Sequence, residues 1–455
     1  MRFPTGSRMS REIPYIPFVL FLVVAVVYGN ALHGSFQFDD YIVIVDSGLV
    51  HSWSAWYADL FHGLRPLLKL SFMFNWVSGT GVEGFHVFNI LVHFINVLLV
   101  YALAVRLFGR IPDDVQRTRT GALVTGLLFA VHPVFTEAIT YISGRSMSLM
   151  TLFYLASFLS YIKGREEKRA VWVAGISPLL FILAVATKET AITLPFALLL
   201  WETCFAADGF GPVMRRQTVH WLVFLALVML LLFQDRYWQM MAFSAALHGM
   251  QENLLTQLHA MTYMLGQFLL PWRLNIDPDL PHVTAWAQAM PDIVLWSFLA
   301  AVAVWNARKR PLLLFAFGWF VLQMLPIYVF LPRLDVANER QLYLAGWVLI
   351  LPVAQVVCDM PFHARLRVAT TMALMLLLGV LTVLRNEDYR TEVSLWGNTV
   401  LNSPHKARPY NNLGYAYYLA GNRAGAEQAY QKAISLKPGY WLAENNLDRI
   451  RRDKE

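Results

Sequence analysis

Cysteine is nearly absent from this chain. Of 455 residues only two are cysteine, Cys204 and Cys358, far apart and each at the end of an apolar run. Such a pair supports neither a disulfide framework nor a zinc site. Charge is scarce as well: 15% of residues are charged, against about 25% in an ordinary soluble domain. Missing too are a phosphate-cradling P-loop, a dinucleotide glycine fingerprint and a nucleophile elbow. The absences remove the disulfide-rich secreted domains and the common nucleotide-binding and hydrolase classes.

Apolar sequence fills the space. Hydrophobic residues make up 57% of the chain and the mean hydropathy is +0.46. Runs of spanning length recur near 13–30, 87–108, 121–135, 146–162, 170–187, 190–206, 219–234, 293–306, 311–331, 342–358 and 366–384. The fold class expected is therefore all-α, a polytopic helical membrane protein. The first run follows Arg2, Arg8 and Arg11 with no small-residue cleavage site after it, so it reads as a retained first helix. A net charge of +7 then reflects basic loops on the cytoplasmic side and not nucleic-acid binding.

Basic residues set the orientation. Arg106, Arg110, Arg117 and Arg119, then Lys163, Arg165, Lys168 and Arg169 fall in alternate connections. So do Arg215 and Arg216, Arg308, Lys309 and Arg310, and Arg365 and Arg367. They share the cytoplasmic side only if the polar-interrupted segment 254–271 fails to cross, so that segment is expected to be re-entrant or interfacial. Eleven spans follow, with the N-terminus inside and the C-terminus outside. A long first outer loop, 31–86, contains "RPLLKLSFMFNWV", whose helical apolar spacing suits a helix lying in the interface.

The tail differs. "ARPYNNLGYAYYLAGNRAGAEQAYQKAISLKP" places Tyr410, Leu413, Gly414, Tyr417, Ala426, Tyr430, Ala433 and Pro438 at tetratricopeptide-repeat spacing, and "NNL" recurs 34 residues on. The preceding "YRTEVSLWGNTVLNSP" fits the second helix of an earlier repeat. Domains of 1–384 (membrane) and 385–455 (repeats, on the outer face) are expected, with the short array docked on the membrane domain.

Polar residues of the outer side are the candidates for chemistry. In "GSFQFDDY", Asp39 and Asp40 stand beside the membrane among aromatics, where partial desolvation and adjacency raise a carboxylate's pKa toward that of a general base. A carboxylate pair also suits a divalent cation, and the sequence leaves the two roles open. Arg65, Arg145, Lys188, Arg236, Arg273, Arg333 and Arg340 lie on the outer side against the usual bias. Singly, snorkelling explains each; converging, they would bind a lipid-linked phosphate. His132-Pro133 reads as a kink inside a span, and His86 and His93 as one packed face of the second.

In order along the chain, "FQFDDY", "LRPLLKLSF", "GFHVFNILVHFINVLLVYAL", "AVHPVFTEAITYISGR", "ATKETAITLPFALLLWE", "PWRLNID", "NERQLYL" and "RNEDYRTEVSLWGNTVLNSP" resemble the transmembrane and tetratricopeptide-repeat O-mannosyltransferases and their bacterial relatives. These are members of the GT-C superfamily. After "ISGR", where similar proteins often carry an acid, Ser146 and Met147 follow. The resemblance implies a GT-C fold with its active site on the outer face. It also implies transfer of a sugar, mannose or another hexose, from a polyprenyl-phosphate donor to a hydroxyl of a secreted or envelope protein. Asp39 is the expected base, with Asp40 orienting it or binding a cation. Arg340 and Lys188, then Arg65 and Arg145, are the expected phosphate contacts. His86, Glu137, Glu189, Asp277, Glu339 and Tyr343, within the same motifs, complete the candidates. No resident cofactor is required, although a divalent cation fits. The short array suggests a bacterial inner-membrane protein with periplasmic repeats. Competing readings are the same chemistry on a lipid or glycan acceptor, and a non-enzymatic anchor for a repeat scaffold.

Overall fold

The computed structural model describes residues 15–110, 115–206, 208–233, 238–239, 242, 249–328, 335–361 and 363–452. Arg2, Arg8, Arg11, Arg236 and Arg333 lie outside them. All regular structure among the described residues is helical. Five helices are long and apolar enough to cross a membrane: Ile16–His33, Gly81–Phe108, Phe210–Leu230, Trp286–Trp305 and Ala364–Asp388. A sixth arises if Glu339–Ala345 and Trp347–Asp359, bent by 60°, count as one broken span. Shorter apolar helices, Val171–Thr187 and Pro311–Leu325, pack among them. The core is a single apolar mass running from Ile16 to Leu378, its aromatic centre formed by Tyr154, Phe158, Phe315, Trp319 and Trp347.

Contacts sort the helix ends into two groups. At one end Arg110 donates to Glu166 at 3.0 Å, and Arg165 and Arg216 both reach Asp208 at 2.8 and 2.7 Å. Arg117 pairs with Asp359 there, and Arg367 donates to the Cys358 carbonyl. These join several of the arginine-bearing connections that charge had assigned to one face. At the other end lie the loops around 37–46, 133–145, 188–193, 275–278, 335–341 and 386–392.

The segment 254–271 forms one helix, Met250–Leu269, which is not among the helices apolar enough to span. Its first turns meet the start of the next long helix: Thr256 accepts from the Val283 amide, and His259 pairs with Asp292. By Asn275 the chain is back against Glu339. Gln257 near its start, which donates to the Val336 carbonyl at 3.4 Å, and Asn275 beyond its end both lie against the loop-rich end.

His132-Pro133 does not kink a span. The helix Val115–Val131 stops there, and Pro133–Ala138 continues as a 3-10 turn because proline removes the amide that would extend the α ladder. "RPLLKLSFMFNWV" forms the expected helix, Pro66–Ser78, with Leu68, Phe72 and Met73 buried while Phe74 and Val77 face out.

Glu392–Asn402, Ala407–Leu419, Arg423–Leu436 and Trp441–Arg452 form the repeat module. A Cβ on Gly414 would sit 2.7 Å from the Tyr430 ring, so glycine lets the paired helices close. The expected boundary at 384/385 falls inside the helix Ala364–Asp388, which runs unbroken out of the bundle. Tyr141 and Ile276, from membrane-domain loops, share an apolar cluster with Tyr389, Leu395, Trp396 and Leu413.

Candidate active site

The loop "FQFDDY" is fixed on three sides. Gln37 donates to the Tyr389 carbonyl, the Phe38 amide donates to Glu392 at 2.8 Å, and Phe38 meets Trp396 edge-on at 5.2 Å. Phe38 is held at φ 46° and Arg65 at φ 58°. A non-glycine residue in this left-handed region costs about 1–3 kcal/mol and is kept only where its surroundings over-determine it. For Arg65 one cause is local, since the following Pro66 disfavours the right-handed helical region.

The two aspartates are different in kind. Asp40 is wholly buried. One carboxylate oxygen accepts from the Ser143 amide at 2.8 Å and from its hydroxyl, and the other from the Gln37 amide at 3.0 Å. Burial pushes its pKa up to about 7, against the lowering effect of the Ser143 and Gln37 donors. Asp39 is half-buried. Its amide donates to the Tyr141 hydroxyl at 3.0 Å, while no donor meets its carboxylate among the described residues. A cation bound here would find Asp39 accessible and the oxygens of Asp40 already occupied. No group of three or more metal-ligating side chains exists among the described residues.

Around Asp39 stand two arginine–glutamate pairs. Arg65 grips Glu189 with two nitrogens at 2.9 and 2.6 Å. Burial alone would raise the Glu189 pKa, but the Arg65 guanidinium holds it down at about 2. Arg340 lies over the Tyr141 ring at 5.9 Å, donates its amide to Glu137 at 2.9 Å and brings Nε to 3.7 Å from the same carboxylate. Glu137 is fully buried and its pKa is pushed up to about 7 by that burial, with Arg340 opposing. Both arginines keep part of the side chain exposed, 32% for Arg65 and 19% for Arg340. Arg65 is within electrostatic reach of both Arg340 and Asp39. Gly144 lets its turn pack onto the Glu137 backbone, because a Cβ there would collide with the Glu137 carbonyl oxygen.

Other predicted residues serve elsewhere. Arg145 is fully enclosed: Asn89, the Ser71 carbonyl and the Phe85 carbonyl take its nitrogens, and Phe72, Phe85 and Phe88 line its faces. It braces the loop behind Asp40 and offers nothing outward to a phosphate. Lys188 is buried at the end of its helix, next to Glu189. His86 is buried against Gly34. Tyr343 lies deep, its hydroxyl bonded to His93 and Asn96 at 2.7 and 3.2 Å. Glu339 accepts from Arg385 and the Asn275 amide. Asp277 faces the repeats, paired with Lys406 and Arg408.

Reasoning from sequence passed over Tyr141, Ser143 and Glu392. The first two stand beside Arg145 in "TYISGR", where their proximity to that arginine was the available signal. Glu392 reaches the site from 354 residues away and carried none.

Comparison with known proteins bears on the chain as a whole. A tetratricopeptide-repeat model matches residues 407–440. The chain is 26% identical to protein O-mannosyl-transferase TMTC3 of Mus musculus, over 94% of this chain and 52% of that protein. It is 26% identical to protein O-mannosyl-transferase F38B6.6 of Caenorhabditis elegans, over 96% of this chain and 65% of that one. The resemblance expected from the motifs is there. A shorter stretch, 42% of this chain, is 34% identical to protein O-mannosyl-transferase Tmtc1 of Drosophila melanogaster and covers 22% of it. The chain thus spans about half to two thirds of the length of the O-mannosyl-transferases it matches almost end to end. No solved structure matches.

Proposed function

We propose that the protein is a membrane glycosyltransferase of GT-C type, moving mannose or another hexose from a polyprenyl phosphate to a hydroxyl of a protein acceptor. The observation that carries this reading is the unengaged Asp39 carboxylate where membrane loops meet the repeats, flanked by Arg65 and Arg340. Near-complete coverage by relatives named protein O-mannosyl-transferases supports it.

In the reaction, Asp39 takes the acceptor hydroxyl proton as the oxygen bonds to the anomeric carbon. The bond from that carbon to the phosphate oxygen breaks through an oxocarbenium-like state, and its electron pair leaves with the polyprenyl phosphate. Arg340 and Arg65 stabilise the charge growing on that phosphate. A single open carboxylate with no second nucleophile beside it favours direct displacement and inversion. Asp40 shapes the turn that presents Asp39. Eleven crossings, cytoplasmic arginine connections and repeats on the outer, periplasmic face of a bacterial inner membrane complete the reading. A divalent cation would reach the site through Asp39.

Mass spectrometry of envelope glycoproteins from cells carrying wild-type protein or Asp39→Asn tests this. A hexose-bearing protein set that disappears with the variant is expected; an unchanged set refutes the reading. Product NMR showing a retained anomer would refute direct displacement.

A further inference from the structure

Asp277 lies in a loop between helices of the membrane domain, yet its partners belong to the repeats. Its side chain is 2% exposed. It accepts from Lys406 Nζ at 2.5 Å, from Arg408 Nε at 2.7 Å and from Arg408 Nη2 at 2.5 Å. Ser403 donates to the Asp277 carbonyl at 2.8 Å and receives the Asn275 amide side chain at 2.6 Å. Arg408 also pairs with Asp335. The contact continues inward. The Asn275 backbone amide donates to Glu339, whose second oxygen accepts from Arg385 at 3.2 Å. Glu339 adjoins Arg340, which rests on Glu137 and Tyr141, and Tyr141 holds the Asp39 amide.

We infer that Asp277 is a positioning residue that latches the first repeat to the site, so that repeat docking sets the geometry of Arg340 as well as holding an acceptor. The path is short: hydrogen bonds lead from the Asp277 loop through Asn275 to Glu339, one peptide bond leads on to Arg340, and its guanidinium lies over the Tyr141 ring. Asp277, Glu339 and Glu137 are buried, where a carboxylate is held by the geometry of its donors. A module that only tethered the acceptor would need no buried ionic contact reaching to within one residue of the phosphate-binding arginine.

The inference rests on the proposed transferase for its kinetic form, but not for its structural form. Two readouts on the full-length protein in detergent separate them. The first is amide hydrogen exchange, which reports local opening. Asp277→Asn should speed exchange about tenfold at 335–345 and 137–143 as well as at the latch itself. Ser403→Ala, which removes only one arm, should do so more weakly, and Lys406→Arg should restore near-wild-type protection. Exchange that rises only at 272–280 and 403–410 overturns the inference.

The second readout uses a short-chain polyprenyl-phosphate mannose. Asp277→Asn should lower kcat about tenfold for both peptide transfer and acceptor-free hydrolysis of the donor. A rise in acceptor KM alone, with hydrolysis and kcat unchanged, overturns the inference and leaves the transferase standing. Exchange that spreads in Asp277→Asn, while the wild-type protein turns over neither the mannose donor nor other polyprenyl-phosphate hexoses, upholds the latch and refutes the transferase.

Discussion

Two acids at opposite ends of the bundle show what distinguishes a finished site from an open one. Glu202, near the arginine-bearing connections, is almost fully buried and fully answered. Tyr161 donates to it at 2.7 Å, Arg165 at 2.8 and 3.2 Å, and Arg216 lies 3.5 Å away. Asp39 is half-buried, with Arg65 close by but no cation bound to it among the described residues. Around Glu202 Tyr161, Arg165 and Arg216 converge on one carboxylate, and the result is a clamp between helices. Around Asp39 the arginines are steered onto Glu189 and Glu137, which leaves the acid free while keeping positive charge near. The first arrangement stabilises; the second keeps a reactive group available.

Variants can sharpen this contrast. On the proposed mechanism Arg340→Gln removes the charge that faces the departing phosphate and should lower kcat/KM about 10²-fold or more, an effect of order 3 kcal/mol, read by transfer from a polyprenyl-phosphate sugar. At the other end Glu202→Gln leaves Arg165 and Arg216 with the more exposed Asp208 as their acidic partner and should destabilise by about 1–3 kcal/mol. Transfer per folded molecule should be unchanged, which a thermal-shift assay paired with active-fraction counting checks. Ser143→Ala strips one donor from buried Asp40 and should cost about 1–3 kcal/mol, visible in the same melting experiment.

A further effect is on pH dependence. Asp40 has an ordinary value of 3.8 and is raised to about 7 when folded; Glu137 moves the same way, from 4.5 to about 7. Between those values the folded chain keeps protons that the unfolded chain has lost, so raising the pH favours unfolding. Apparent melting temperature should therefore fall between about pH 4 and 7 and level off above. Asp40→Asn should flatten that fall. A wild-type profile that rises across this range contradicts the assignment.

Much of this was legible in the sequence because it depended on local pattern. The helical apolar runs, the helix after Arg65 and the repeat spacing are periodicities, and the periodic residues themselves do the packing. "FQFDDY" drew attention because acids beside lipid are costly. What was not legible depended on partners distant in the chain. Asp39 and Asp40 are neighbours of one residue type, and only Ser143, 103 residues on, decides which is engaged. Arg145 reads as an outward cation until Asn89, Ser71 and Phe85 close over it. Asp277 sat in a family motif, but its partners are 129 and 131 residues away. The stop at His132-Pro133 was misread as a kink because proline permits either, and the closeness of the following turn to Arg340 decides it.

The central claim is that Asp39 does the chemistry and Asp40 holds it in place. Its most direct test is purified wild-type, Asp39→Asn and Asp40→Asn protein assayed side by side for sugar transfer and for melting temperature. Asp39→Asn should lose transfer by at least about 10²-fold with its melting temperature unchanged. Asp40→Asn should melt lower yet transfer within about tenfold of wild type per folded molecule. Full transfer by Asp39→Asn, or the reverse order of the two variants, would contradict the account.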